Sequence, residues 1–438
     1  MLASVDYGYV DMAVNLYLTS IRRLKISNFL LVCSDNQAAA VARAKGITSF
    51  TLDRHDVDGN KSSHYGSEGF IRKTHVKTDL ILKALNLGYT VIIVDVDIIF
   101  LKNPIPYLQC DNCDISIQSD STEVNSGFYL VKPTLSGISL HTRALEMAAA
   151  NPRLTNQKTL ARTLEKMNKT GEIRAQLLPD KIFPNGRIYF EEGGRMLPGD
   201  NPCRDCVVIH NNWIVGQKAK KYRFKEHLLW SVDTGEYYSC PNRKYMTYEN
   251  PVYFGANSTF ARENAALRCA FAIAHLLKRV LILPRFHCQG CKLCGRLGCP
   301  TCETGGAHFS NDTSKPLCYA GVYYNIAKLD RKLQYRESSF LQNPLVPRAI
   351  KESVSPVLTI IPSSEKKVSH AKNTFTTKWK SGATKEEIIK WFVSYSAVSV
   401  LRFEMLYGAF TGFDTLGDFK TNLKDGLILS DYRQYNTM

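Results

Sequence analysis

The chain has 438 residues, too long for one ordinary hydrophobic core, so two domains are expected. Apolar residues make up 44% and aromatics 11%, which excludes a disordered chain and indicates globular folding. A formal charge of +16 suits anionic ligands or surfaces such as nucleotide diphosphates, acidic glycans and membranes; without a dense basic block interleaved with aromatics, nucleic acid is not an expected partner.

In chain order, Leu2 to Tyr9 and Asn28 to Ser34 read as strands. Asp11 to Leu24 between them reads as a helix capped by Asp11, with Met12, Leu16 and Ile21 on its buried side. Gln37 to Lys45 is a short helix ended by Gly46, and the polar, glycine-containing stretch from Asp53 to Gly69 is a loop. Phe70 to Leu87 forms a helix that leads through Gly88 into Val91-Ile-Ile-Val94 and the acids Asp95 and Asp97. Bounded by Gly88 and Pro104, that short apolar run reads as a buried parallel strand. Repeated strand–helix–strand units imply an α/β fold: a doubly wound, mostly parallel sheet with helices on both faces.

Asp95 and Asp97 lie where ligands of open α/β sheets bind, beyond the carboxyl end of a strand. Side chains two apart on an extended segment point the same way, so the two carboxylates can converge if the backbone stays extended. Two adjacent anions need a cation there. Hard oxygen donors suit Mg²⁺ or Mn²⁺, with substrate phosphate oxygens completing the shell. Val207-Val-Ile209 reads as a strand ending at His210, whose imidazole is compatible with the same cation. Asn125, Ser126 and Gly127 precede a strand and suit a sugar pocket or an ordinary turn.

Several segments together resemble the nucleotide-diphospho-sugar transferase domain of GT-A type glycosyltransferases, most closely glycosyltransferase family 77. They are Lys77-Thr-Asp-Leu-Ile-Leu-Lys-Ala-Leu85, Asp95-Val-Asp97 with Phe100-Leu-Lys-Asn-Pro104, Asn125-Ser-Gly-Phe-Tyr-Leu-Val-Lys-Pro133, Phe183-Pro-Asn-Gly186 and His210-Asn-Asn-Trp-Ile-Val-Gly216. The resemblance covers roughly residues 2–230 and implies a GT-A type fold there. It also implies transfer of a sugar from a UDP-sugar donor to a glycan or glycoprotein acceptor, with retention of anomeric configuration and with Mn²⁺ or Mg²⁺. It places Asp95, Asp97 and His210 on the metal, and Asp95 and Gly127 on the donor; Gly216 permits a tight turn towards the diphosphate, Lys218 or Lys221 can neutralise the leaving group, and Lys77 reads either as a donor-binding residue or as part of a solvated helix face. Asn125 and Gln157 fall near the reacting carbon. The related enzymes often carry an Asp-Gln pair there, whereas this chain has Asn156-Gln157, which marks altered specificity or a catalytically inactive sugar-binding scaffold.

A second α/β domain, of uncertain purpose, is expected over residues 231–438. The tyrosine-rich stretch from Ser231 to Asn250 reads as a linker, Ala261 to Leu277 as a helix, Arg279 to Pro284 as a strand, and Ser363 to Ala383 as a solvated loop. Thirteen cysteines include Cys110-x-x-Cys113, Cys203-x-x-Cys206 and the run Cys288, Cys291, Cys294, Cys299 and Cys302. Such spacing suits either a tetrahedral zinc site, and with it a zinc-binding interaction module, or disulfides in an oxidising compartment. The sequons at Asn60, Asn168, Asn257 and Asn311, together with the resemblance, favour disulfides and the Golgi lumen. No segment reaches the roughly 18 apolar residues of a membrane span. The start reads as the first strand of the domain, so membrane contact is expected only through an anchor preceding it; a cytosolic chain is the other reading.

Overall fold

The computed structural model describes residues 1–52, 66–120, 123–192, 195, 198–199, 202–250, 260–287, 317–361, 373–378 and 382–429. The first half is built on a seven-stranded sheet of β1 (Leu2–Val5), β2 (Leu30–Cys33), β3 (Ser49–Thr51), β4 (Val91–Val94), β6 (Ile115–Ser119), β7 (Val124–Val131) and β8 (Ala175–Leu178), in the order β3-β2-β1-β4-β7-β6-β8. All pairings are parallel except those of β7, which runs antiparallel to β4 and β6. The strands are apolar on both faces because both faces are covered, as a doubly wound α/β sheet requires. Ile92, Val94, Phe128 and Leu130 join a core with Met12, Leu16 and Ala38 from helices α1 (Val10–Leu16) and α2 (Asn36–Ala44). Ile93, Ile117, Tyr129 and Val131 face the opposite core, with Ile81, Leu140 and Leu160 from α3 (Glu68–Asn86), α5 (Leu135–Ala150) and α6 (Asn156–Lys169). Beyond Asp97, β5 (Ile98–Phe100) pairs antiparallel with β9 (Val208–His210), and the short α4 (Ile105–Leu108) follows β5.

The second half contains an all-parallel six-stranded sheet. It comprises β10 (Tyr245–Tyr248), β11 (Val280–Ile282), β14 (Tyr335–Arg336), β15 (Val354–Ile361), β16 (Thr374–Thr376) and β17 (Val400–Phe403), ordered β14-β11-β10-β17-β15-β16. One face packs on α8 (Phe260–Leu276) through Met246, Leu281, Leu401 and Phe403. The other, through Tyr245, Val280, Ile282 and Val400, joins the core that holds Trp230 and Val94 of the first half. The short pair β12 (Phe286–His287) and β13 (Leu317–Cys318) is antiparallel.

Several boundaries differ from the sequence reading. β1 stops at Val5 because Asp6 accepts the Tyr9 N–H at 3.2 Å and starts a 3₁₀ turn over Tyr7–Tyr9. Asp11 does not cap α1; it sits within the first turn, its carboxylate on Lys221, and the helix continues as a π-helical segment over Tyr17–Arg22. Helix α3 starts at Glu68, inside the expected loop, because the Ser67 hydroxyl caps the Phe70 N–H at 3.2 Å. The expected linker contains β10, whose tyrosines are buried rather than solvated. Likewise β16 falls within the expected loop of residues 363–383. The cysteine run from Cys288 to Cys302 and the sequons at Asn60, Asn257 and Asn311 lie outside the described residues.

Candidate functional site

The four residues of β4 are fully buried, and the strand ends at Asp95, whose N–H donates to the Gly127 carbonyl of β7 at 2.8 Å. Asp95 and Asp97 do not share an extended backbone. The Ile98 N–H turns back to the Asp95 carbonyl at 3.2 Å, and this turn, rather than the period of a strand, brings the two acids together. Asp97 is buried and Asp95 half-exposed. His210 arrives from β9, which is registered opposite Ile98. One ligand atom from each of Asp95, Asp97 and His210 lies within 4.8 Å of the others.

Each acid also has a lysine. Lys77 of α3, itself buried, places Nζ 2.7 Å from Asp95 Oδ1. Lys220 places Nζ 2.5 Å from Asp97 Oδ2, while Asp97 Oδ1 is 3.5 Å from His210 Nε2. Burial alone would raise the Asp97 carboxyl pKa, but the Lys220 ammonium beside it outweighs burial and holds it well below the usual carboxylate range. Burial would likewise lower the Lys220 ammonium, yet Asp97 pushes it up. Lys220 was not singled out from sequence. Of the two lysines that were, Lys218 pairs with Asp330 at 2.6 Å and Lys221 with Asp11. Gly216 enters α7 (Gln217–Glu226) at φ +94°, a conformation that favours glycine, and thereby sets which face of the helix turns to Asp97.

Gly127 lies within β7 rather than before it, as do Asn125 and Ser126. A Cβ on Gly127 would sit 2.6 Å from Asp95 Oδ2, 2.6 Å from His210 Cε1 and 2.9 Å from Asn125 Oδ1. The strand is therefore bare of side chain at the one point where the acid and the imidazole converge. Asn125 Oδ1 accepts the Gly127 N–H at 2.7 Å and holds that stretch of backbone. Two carboxylates and an imidazole, gathered over a glycine that leaves room for them, form a donor set that fits Mn²⁺ or Mg²⁺.

A second polar network adjoins the first. Gln157, in the first turn of α6, accepts the Ser126 N–H at 3.4 Å and donates to Asp120 Oδ2 at 3.1 Å and Glu123 Oε1 at 3.2 Å. Asp120 Oδ1 accepts from Asn212 Nδ2 at 3.0 Å and Trp213 Nε1 at 2.7 Å, and Asn212 Oδ1 accepts the Gly186 N–H at 2.6 Å. The Phe183-Pro-Asn-Gly186 and His210-Asn-Asn-Trp213 segments are thus tied to Gln157 through Asp120. Sequence reasoning missed Asp120; its signal was an acid at the end of a strand, buried here. Asn156 is buried at the start of α6, and its N–H points to Thr74 Oγ1 at 3.5 Å.

Cys110–Cys113 and Cys203–Cys206 are disulfides, as favoured over zinc at these spacings, and Cys318 is also disulfide-bonded; Cys33, Cys240 and Cys269 are free thiols. Among the described residues, no helix is long and apolar enough to cross a membrane.

Residues 24–224 match the family model of nucleotide-diphospho-sugar transferases. The chain is similar to the beta-arabinofuranosyltransferase RAY1 of Arabidopsis thaliana, at 29% identity over 53% of this chain and 48% of the relative. It is also similar to the UDP-galactose:fucoside alpha-3-galactosyltransferase of Dictyostelium discoideum, at 27% identity over 53% of this chain and 43% of the relative. The arabinosyltransferase XEG113 of Arabidopsis thaliana aligns at 23% identity with 93% of this chain and 69% of its own length. The chain spans about half the length of the first two relatives. Over residues 24–224 the chain is thus similar to nucleotide-diphospho-sugar transferases, and its first half has the α/β sheet that the sequence resemblance implies.

Proposed function

We propose that this chain transfers a sugar from a UDP-sugar to a hydroxyl of a glycan or glycoprotein acceptor, with retention of configuration, and that Asp95, Asp97 and His210 hold a Mn²⁺ or Mg²⁺ ion. The observation that carries this reading is the convergence of those three side chains over Gly127 in a domain similar to nucleotide-diphospho-sugar transferases. A bound divalent ion supplies Lewis-acid neutralisation of the diphosphate as it departs. Lys77 and Lys220 stand beside the two acids as fixed positive charge for the same anion, a contribution that grows with charge development in the transition state. Gly127 leaves room for the donor, and Asn125 holds the backbone beneath it. Gln157, fixed by Asp120 and Glu123, faces the reacting sugar.

In the step itself, the bond between the anomeric carbon and the phosphate oxygen breaks and the acceptor oxygen bonds to the same face of that carbon. The acceptor proton passes to the departing phosphate oxygen, so UDP carries it away. No carboxylate base is needed. Asp120 is poorly suited to that task, since Asn212, Trp213 and Gln157 already donate to both its oxygens.

The relatives are named for arabinose, galactose and xylose transfer, so the donor test uses UDP-arabinose, UDP-galactose, UDP-xylose and UDP-glucose. With Mn²⁺ and no acceptor, one of these donors should release UDP, and chelation should stop it. A folded chain that binds sugar and Mn²⁺ but releases UDP from none of the four would favour the inactive sugar-binding scaffold, the reading motivated by Asn156. The disulfides support an oxidising compartment and, with the family, residence in the Golgi lumen.

A further inference from the structure

Gln118 is a polar side chain with no exposure near the end of β6, directly after the core residue Ile117. A buried amide is costly unless both of its ends are bonded, and here both are. Its Nε2 donates to the Phe183 carbonyl at 2.9 Å, and its Oε1 lies 2.9 Å from His210 Nδ1. The first bond fixes the second. A carbonyl only accepts, so the amide NH₂ must face Phe183, and the amide oxygen is then left facing His210. An amide oxygen also only accepts, so Nδ1 must carry a proton.

From this geometry we infer that Gln118 is a positioning residue that locks His210 in the Nδ1–H tautomer, so that its Nε2 lone pair faces Asp97. The inference rests on the metal reading above for its purpose, though not for its test. Nε2 sits 3.5 Å from Asp97 Oδ1 and, as an acceptor beside an acceptor, makes sense as one arm of a cation site. A partner on the far nitrogen that sets tautomer and ring orientation is the usual support of a metal-bound histidine, and its loss typically costs 10–100-fold in metal affinity. The bond also ties three separate stretches together, since Phe183 packs beneath β7 against Phe128 at 5.8 Å between ring centroids.

The test reads the tautomer directly, in metal-free protein labelled with ¹⁵N-histidine, by long-range proton–nitrogen correlation, and reads Mn²⁺ affinity separately from the free Mn²⁺ spin-resonance signal. Wild type should show His210 with Nδ1 protonated and Nε2 bare. Gln118→Leu should lose that single tautomer and bind Mn²⁺ roughly 10–100-fold more weakly. Gln118→Glu, which keeps an acceptor at Nδ1, should retain the tautomer. A wild-type His210 protonated on Nε2, or on both nitrogens at pH 7.5, overturns the inference. So does a folded Gln118→Leu variant with wild-type tautomer and Mn²⁺ affinity. A wild type with the Nδ1–H tautomer and no Mn²⁺ uptake upholds the tautomer assignment and instead refutes the metal reading.

Discussion

Lys220 and Asp97 form a buried ion pair, Nζ to Oδ2 at 2.5 Å, 123 residues apart in sequence, at the centre of the candidate site. The neighbouring lysines of the same helix, Lys218 and Lys221, are committed to Asp330 and Asp11. Lys220→Ala should therefore lower UDP-sugar turnover by about 10²–10³-fold, the usual loss for one electrostatic donor aimed at developing charge. Lys218→Ala should stay within a fewfold of wild type. Removing one partner of a buried pair also destabilises, here by about 3 kcal/mol, so turnover is to be compared at a temperature where both variants remain folded by circular dichroism. Equal losses in the two variants would refute the assignment of Lys220.

Gly127→Ala tests the bare point in β7. The added methyl would lie 2.6 Å from both Asp95 Oδ2 and His210 Cε1, so the acid and imidazole must part. Overpacking of this kind costs about 1–3 kcal/mol of stability. The expected outcome is a folded protein with Mn²⁺ and UDP affinities reduced together by at least tenfold, measured by calorimetry. Unchanged Mn²⁺ affinity would separate Gly127 from the metal site.

The acidic pair was legible because an apolar run ending in two carboxylates is a local pattern, and β4 kept it. The way the acids converge was not legible, since an Asp-x-Asp sequence serves equally in a strand or in the turn closed by Ile98. Lys220 was hidden for a related reason. Lys218, Lys220 and Lys221 lie within little more than one helical turn, and their directions depend on how Gly216 launches α7, a rotation with no signature in composition. Gln118 and Asp120 act on residues 92 or 93 positions away, across strands whose adjacency sequence spacing does not encode. The tyrosines of β10 misled because aromatic side chains with hydroxyls pass for solvated linker until a core is found for them.

Glu226 gives the fold a pH dependence of known sign. It is fully buried where α7 meets the second half, accepting from Tyr222 Oη at 2.9 Å, the Ser338 N–H at 3.1 Å and the Ser338 hydroxyl. Burial, reinforced by Glu337 and opposed by Ser338 and Tyr222, pushes its carboxyl up from 4.5 to about 7. The folded state thus keeps a proton that the unfolded chain releases, and stability falls as pH rises from about 4.5 to about 7. Glu226→Gln removes this loss. Relative to wild type, it should be about equally stable at pH 4.5 and more stable by up to ~3 kcal/mol at pH 8, as read by denaturant unfolding. A constant difference across that range would show that Glu226 is not the titrating group.

Asp120 separates sugar positioning from metal binding. Its two oxygens are held by Gln157, Asn212 and Trp213, and it stands outside the Asp95–Asp97–His210 cluster. In Asp120→Asn, one oxygen becomes a donor and at least one of these three hydrogen bonds is lost, at a cost of about 1–3 kcal/mol for the buried group left unpaired. Gln157 is then no longer fixed against the Ser126 backbone. Mn²⁺ and UDP affinity should stay within twofold of wild type, because the diphosphate side of the site is untouched. Transfer to an acceptor glycan should fall by at least tenfold relative to acceptor-free hydrolysis of the same donor, because the reacting sugar is no longer held in one orientation. A variant that loses UDP affinity and keeps the ratio of transfer to hydrolysis would place Asp120 with the metal site instead.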